Sequence, residues 1–231
     1  MRHLCIDTSS ATSVAVVADG HILAQARHDS ARHHVEALSP LIRQVLADAG
    51  LDPTSLGAQV DAICVGTGPA PFTGLRAGLV TARVLARAAG LPLWGVPSLA
   101  IMARQALDLA DADATVTAIS DARRKELYWG TFKGDGPDDL RLIGDLEVGA
   151  PGEMANQASA AGALLISEGP LPAHAAAILT GEKITTVDAL DLSALSRIVS
   201  ARLAKDDQAT LGIDPLYLRR PDIHGQAPQR M

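Results

Sequence analysis

The chain has 231 residues, 48% hydrophobic and 20% charged, which suits a soluble protein with a real core and is too hydrophobic for a disordered segment. Its net charge of −6 excludes a stand-alone binder of a phosphate backbone, which needs clustered Lys and Arg, so any nucleic acid is expected to be held through a partner. No apolar run approaches the ~20 residues of a membrane span, and the N-terminus meets Asp7 without an apolar signal segment, so a cytoplasmic protein with no membrane contact is expected.

Leu4-Cys5-Ile6 is a short apolar run that ends in the turn-forming Asp7-Thr8-Ser9-Ser10. Residues 13–18 form a second run, Asp19-Gly20 is a hairpin turn, and residues 21–27 return as a third strand. From 34 to 49 the period becomes helical, with Leu38, Leu41, Ile42, Val45, Leu46 and Ala49 on one face and Gly50 as the stop. Residues 60–65 are an apolar strand running into the loop 66–74, Gly-Thr-Gly-Pro-Ala-Pro-Phe-Thr-Gly, and a long helix follows to Ala89. Residues 91–96 form another strand, and Ser98 is the expected N-cap of the next helix.

The second half echoes this order. Residues 115–120 read as a strand ended by Asp121-Ala122-Arg123, followed by strands over 126–133 and 140–148 with a turn at Gly134-Asp135-Gly136. A helix near 151–158, a strand over 163–167, a short helix near 173–179 and a final helix over 193–204 complete it. Asp7 and Asp121, 114 residues apart, hold matching places. A repeat on that scale predicts an α/β fold of two tandem lobes, each a mixed sheet plus helices, in the pattern of actin, the sugar kinases and the heat-shock-protein ATPases. The expected division is 1–100 for the first lobe and 101–218 for a smaller divergent one, with helix 193–204 returning to the first and 219–231 a flexible tail.

Glycines in a strand-to-helix turn let backbone N–H groups face an anion, so Gly66 and Gly68, with Asp7, Thr8 and Ser9 in the neighbouring turn, form a candidate vestigial phosphate loop. It is neither a Walker loop nor GxGxxG, and Pro69 and Pro71 remove two N–H donors. Gly74, Gly78 and Ala82 recur every four residues, a nearly bare helix face open to close approach by the chain's own sheet or by a partner helix. His28, His33 and His34 are spaced by five and six, which places no two on one helical face, so no metal site is expected. Cys5 and Cys64 match no metal or redox spacing and read as buried thiols.

These residues resemble the TsaB family, also called YeaZ. The likeness rests on Leu4-Cys5-Ile6-Asp7-Thr8-Ser9, on Arg32-His33-His34 with Leu38-Ser39-Pro40, and above all on the loop 68–76 with its Pro-x-x-Phe-Thr-Gly-x-Arg core. Gly95-Val96-Pro97-Ser98-Leu99, Asp121-Ala122-Arg123 with Tyr128, and Pro215-Leu216-Tyr217-Leu218-Arg219 extend it. Two departures stand out: Ala70 and Pro71 replace the second glycine and the serine of the family loop, and the second half carries few marker residues. The resemblance implies an actin-like pseudo-enzyme with no catalytic residues and no cofactor of its own. It implies pairing with the catalytic subunit TsaD, which would hold ATP and metal, and with the ATPase TsaE, for threonylcarbamoyl transfer to the adenosine beside the tRNA anticodon. tRNA would be met only through the complex, and self-association through the first two helices is also implied. The expected partner interface is His34, Leu38, Leu41, Val45, Gly74, Leu75, Gly78 and Ala82. The alternative is an active ATPase or small-molecule kinase of the same fold, with Asp7, Thr8 and Asp121 around magnesium-ATP. A hydrolase has no nucleophile–base pair to support it.

Overall fold

The structure, a computed structural model, describes residues 1–29 and 34–219, and for His34 and Val35 the backbone only. The first sheet contains β1 (Arg2–Asp7), β2 (Thr12–Ala18), β3 (His21–His28), β4 (Ala62–Gly66) and β5 (Leu93–Val96) in the order β3-β2-β1-β4-β5. The first three are an antiparallel meander because short turns join them, and Asp19 and Gly20 both adopt positive φ, as the tight β2–β3 hairpin demands. β4 and β5 join parallel to β1 because each follows a helix: α1 (His34–Asp48) and α2 (Phe72–Ala89). The second sheet contains β6 (Thr115–Asp121), β7 (Leu127–Gly134), β8 (Leu140–Gly149), β9 (Leu164–Glu168) and β10 (Ile184–Val187), with α4 (Pro151–Ala160) and α5 (Ala173–Ile178) as its crossovers. Its order, β8-β7-β6-β9-β10 read from the same side, repeats the first. The chain is therefore two tandem actin-like α/β lobes. The sequence does not announce strand β10, whose four residues are only half-buried or exposed and carry no apolar pattern.

Strand alternation sorts the cores. Leu4, Ile6, Val14 and Val16 face α1 and α2, while Cys5, Ala15 and Val17 face the opposite way. There they meet two helices: α3 (Ser98–Leu107) and α6 (Leu192–Ala204). α3 packs mainly on the second sheet and α6 mainly on the first, and the two touch each other. The result is five layers: α1 and α2, the first sheet, α3 with α6, the second sheet, then α4 and α5. α3 thus spans the boundary drawn at residue 100. The middle layer is also tied by charge. Arg104 of α3, 5% exposed, donates to the carbonyl of Asp139 at 3.0 Å, and Arg202 of α6 pairs with the Asp139 carboxylate at 3.0 Å. Ser98 is not an N-cap: Pro97 holds that place and the serine is the first helical residue. Arg219 is held rather than loose, donating to the carbonyl of Ala122 at 3.0 Å; residues 220–231 lie outside the described residues. Cys5 and Cys64 are free, buried and opposite each other on neighbouring strands, and burial, with Cys5 beside it, pushes the Cys64 thiol up. No helix among the described residues is long and apolar enough to cross a membrane.

His3 faces α6 from β1, fully buried, with Nδ1 2.8 Å from the Ser196 hydroxyl and Nε2 unpartnered. Burial lowers its pKa from 6.5 to about 4, with the N-terminal ammonium adding to the effect. The folded state thus refuses a proton that the unfolded chain accepts. Stability is complete above pH 6.5 and falls as pH drops from 6.5 towards 4, by up to ~3 kcal/mol. Urea unfolding across this window should show that slope, and His3→Leu should flatten it.

Candidate functional site

The turn after β1 closes on itself. Asp7, 1% exposed, accepts from the backbone N–H of Ser9 at 2.8 Å and from its hydroxyl at 2.6 Å through Oδ1. Through Oδ2 it accepts from the Ser98 hydroxyl at 2.6 Å. Ser98 in turn accepts from the N–H of Gly68 at 3.2 Å, and its own N–H donates to the Gly68 carbonyl at 2.7 Å. One serine at the start of α3 therefore joins the aspartate turn to the glycine loop. Gly66 is obligatory here, since a Cβ would overlap the Asp7 carboxylate. Gly68 has φ +90° and precedes a cis bond to Pro69.

The loop delivers the chain into α2, and the bare face of that helix lies against the first lobe. Thr8 donates its hydroxyl to the Gly74 carbonyl at 2.8 Å, and a Cβ on Gly78 would overlap the Thr8 side chain. Gly74, Leu75, Gly78 and Ala82 are all buried under the chain's own sheet. So are Leu38 and Val45, while Leu41 is half-buried. The expected partner ridge is thus filled by this chain, whose small residues there admit Thr8 and the sheet. The His34 side chain and all of His33 lie outside the described residues; His28 is exposed. The surface that α2 does offer is its far side, where Val80 and Val84 are 58% and 61% exposed among Arg76, Arg83 and Arg87.

Between the sheets lies a cleft of about 400 Å³. Thr8, Ser9, Ser10 and residues 69–71 line one wall, and Asp121, Arg123, Ser167 and Glu168 line the other. Asp7 forms no part of this lining, its carboxylate being turned to Ser9 and Ser98. Glu168 bridges the walls: it accepts from the Ser10 hydroxyl and pairs with Arg27 at 3.1 Å. Burial pushes the Glu168 carboxyl up, the Ser10 bond opposes this, and Asp7 adds to it. Asp121 accepts from the N–H of Arg123 at 2.8 Å and pairs with its guanidinium at 3.1 Å. The structure therefore gathers Asp7, Thr8, Ser9, Gly66 and Gly68 as predicted neighbours, and adds two residues that no spacing announced. Ser98 entered the sequence analysis as a cap and as part of the 95–99 motif, and Glu168, one residue past the expected strand 163–167, did not enter it. The segment 211–219 also returns: Leu216 donates to the Thr67 carbonyl at 3.0 Å, and Arg76 is sandwiched over Phe72 at 3.7 Å while donating to Tyr217 at 2.9 Å.

Two substitutions measure this arrangement by urea unfolding. Ser98→Ala removes a donor from a buried carboxylate and should cost ~1.5–3 kcal/mol. Gly78→Val forces a side chain into Thr8 and should cost at least ~2 kcal/mol in the isolated chain. An unperturbed monomer in the second case would return the ridge to the surface.

The family model described as TsaD, tRNA N6-adenosine threonylcarbamoyltransferase, matches residues 22–210. An uncharacterized protein of Mycobacterium tuberculosis is 34% identical over 95% of this chain and 92% of its own length. The Haemophilus influenzae protein called tRNA threonylcarbamoyladenosine biosynthesis protein TsaB is 32% identical over 98% of this chain and 97% of its own. YeaZ from Pseudomonas aeruginosa has a solved structure that superposes with a TM-score of 0.73 at 29% identity, covering 94% of this chain and 99% of that one.

Proposed function

Since the chain belongs to the TsaB (YeaZ) family of tRNA threonylcarbamoyladenosine biosynthesis proteins, we propose that it is the non-catalytic scaffold subunit of a cytoplasmic threonylcarbamoyl-transfer complex, docked on a TsaD-like catalytic subunit. The observation that carries this reading is the closed aspartate turn. In a lobe of this architecture the turn after β1 faces the nucleotide phosphates, yet here each Asp7 oxygen already accepts a hydrogen bond from Ser9 or Ser98. The neighbouring loop has lost two N–H donors to Pro69 and Pro71. A site satisfied from within gains little by binding a metal-bound phosphate, since each new contact replaces an existing one. Nucleotide and metal then belong to the partner, and a TsaE-like ATPase joins the assembled pair.

Docking falls to the outer face of α2. Val80 and Val84, one turn apart and exposed, give an apolar stripe, and Arg76, Arg83 and Arg87 flank it with donors for carboxylates of the partner. Leu41 and Ala37, beside a shallow groove at α1, extend the same side of the first sheet. A second copy of this chain would use that face when the partner is absent.

Val84→Glu, at a position that contributes nothing to the core, should leave the melting temperature unchanged and reduce recovery of the TsaD-like subunit by tenfold or more in co-purification. Full recovery would move the interface elsewhere. Calorimetry of the isolated chain with magnesium and ATP should show no binding; tight binding with turnover would instead identify an ATPase.

A further inference from the structure

Two stretches that stand out in the sequence, 68–76 and 215–219, meet at the start of α2. Residues 211–219 run as a strap across the first lobe and back to the second. The Leu211 carbonyl accepts from Gly95 of β5 at 3.0 Å, Leu216 donates to the Thr67 carbonyl at 3.0 Å, and Arg219 donates to the Ala122 carbonyl at 3.0 Å. Tyr217 is therefore fixed from both sides. Its ring lies 5.0 Å from that of Phe72, and its hydroxyl accepts from Arg76 Nε at 2.9 Å. Phe72 and Arg76 are one helical turn apart, and the guanidinium stacks 3.7 Å from the centre of the Phe72 ring. Nε is thus bonded and one face of the guanidinium is covered. Among the described residues neither Nη of Arg76 has a partner, and Arg76 remains exposed. Arg83, by contrast, spends Nη2 on the strap, 3.4 Å from the Ile213 carbonyl and 4.0 Å from Asp214.

We propose that the strap makes Arg76 a preformed receptor for a carboxylate on a helix of the catalytic subunit, with Tyr217 as its positioning residue. This rests on the scaffold reading above. An arginine fork binds a carboxylate through two parallel N–H···O bonds, and the rotamer freedom it loses is a large part of what the contact costs. Phe72 and Tyr217 have already removed that freedom. The occupant is a folded protein rather than a nucleic acid, because exposed Val80 and Val84 follow Arg76 at one and two turns, and a phosphate backbone has no use for them. A second copy docked through α2 would leave the receptor empty, since residues 72–89 hold three arginines and no Asp or Glu.

The test measures the affinity of the full chain for the TsaD-like subunit by calorimetry, for wild type, Arg76→Lys, Tyr217→Phe and the double variant. Tyr217→Phe keeps the ring stack and removes only the acceptor, so its melting temperature should stay within about 3 °C of wild type. Arg76→Lys keeps the charge and loses the fork, and should bind about tenfold more weakly. Tyr217→Phe should bind about fivefold more weakly, and the double variant no more weakly than Arg76→Lys alone, because the tyrosine acts through the arginine. Self-association, read by sedimentation, should not change. Wild-type affinity in Tyr217→Phe overturns the proposal. So do losses that multiply in the double variant, which make Tyr217 an independent contact, and an equal loss of self-association, which makes a second copy the occupant. Unchanged pairing with weaker tRNA binding by the complex gives Arg76 to phosphate and overturns it too. A wild-type chain that does not bind the subunit overturns the scaffold reading and this proposal with it, whereas binding that the variants leave intact overturns this proposal alone.

Discussion

A single buried carboxylate organises this molecule. Asp7 sits at the end of the central strand of the first sheet with its charge out of water, and such a group is tolerated only when hydrogen bonds replace its hydration. Ser9 supplies two of these from the next turn of chain, and Ser98 supplies another from ninety-one residues away. The consequences radiate outward. Gly66 cannot carry a side chain, the glycine loop must pass above the turn, and α3 must begin beneath it. The course of residues 66–98 is thereby tied to one acid.

The exchange of helices between lobes follows from the same region. α3 leaves the first lobe at Ser98 and packs on the second sheet, while α6 leaves the second lobe and packs on the first. Each sheet thus buries its inner face against a helix that the other lobe supports. Arg104, Asp139 and Arg202 join the two helices to the β7–β8 turn at the edge of this layer. Glu168, with Ser10 and Arg27, joins the lobes again across the cleft. Ligand-driven lobe movement in such an architecture would have to break buried charge contacts, whereas a surface helix such as α2 can recruit a partner without disturbing them.

Polar satisfaction inside and unspent chemistry outside therefore divide the roles of the molecule. The aspartate turn beside the cleft is internally bonded, and what remains open lies on the far side of α2, where two valines stand among arginines. Apolar surface suits a folded partner, which can exclude water over an area.

By itself the sequence determined the element order apart from β10, the duplication and the actin-like class, because these rest on local signals: alternation in β1 and β2, the Asp19-Gly20 turn, the period of α1. It also singled out the right neighbours around the aspartate turn, since Asp7, Thr8 and the glycines lie within the two loops that a shared topology brings together. Only the tertiary structure decided what those residues face. Gly74, Gly78 and Ala82 look the same in sequence whether a partner helix or Thr8 fills the space beside them, because a missing side chain records closeness and not the identity of the neighbour. The bond from Ser98 to Asp7 and the bridge from Glu168 to Ser10 each join positions far apart in the chain, and nothing in local pattern encodes a contact of that range.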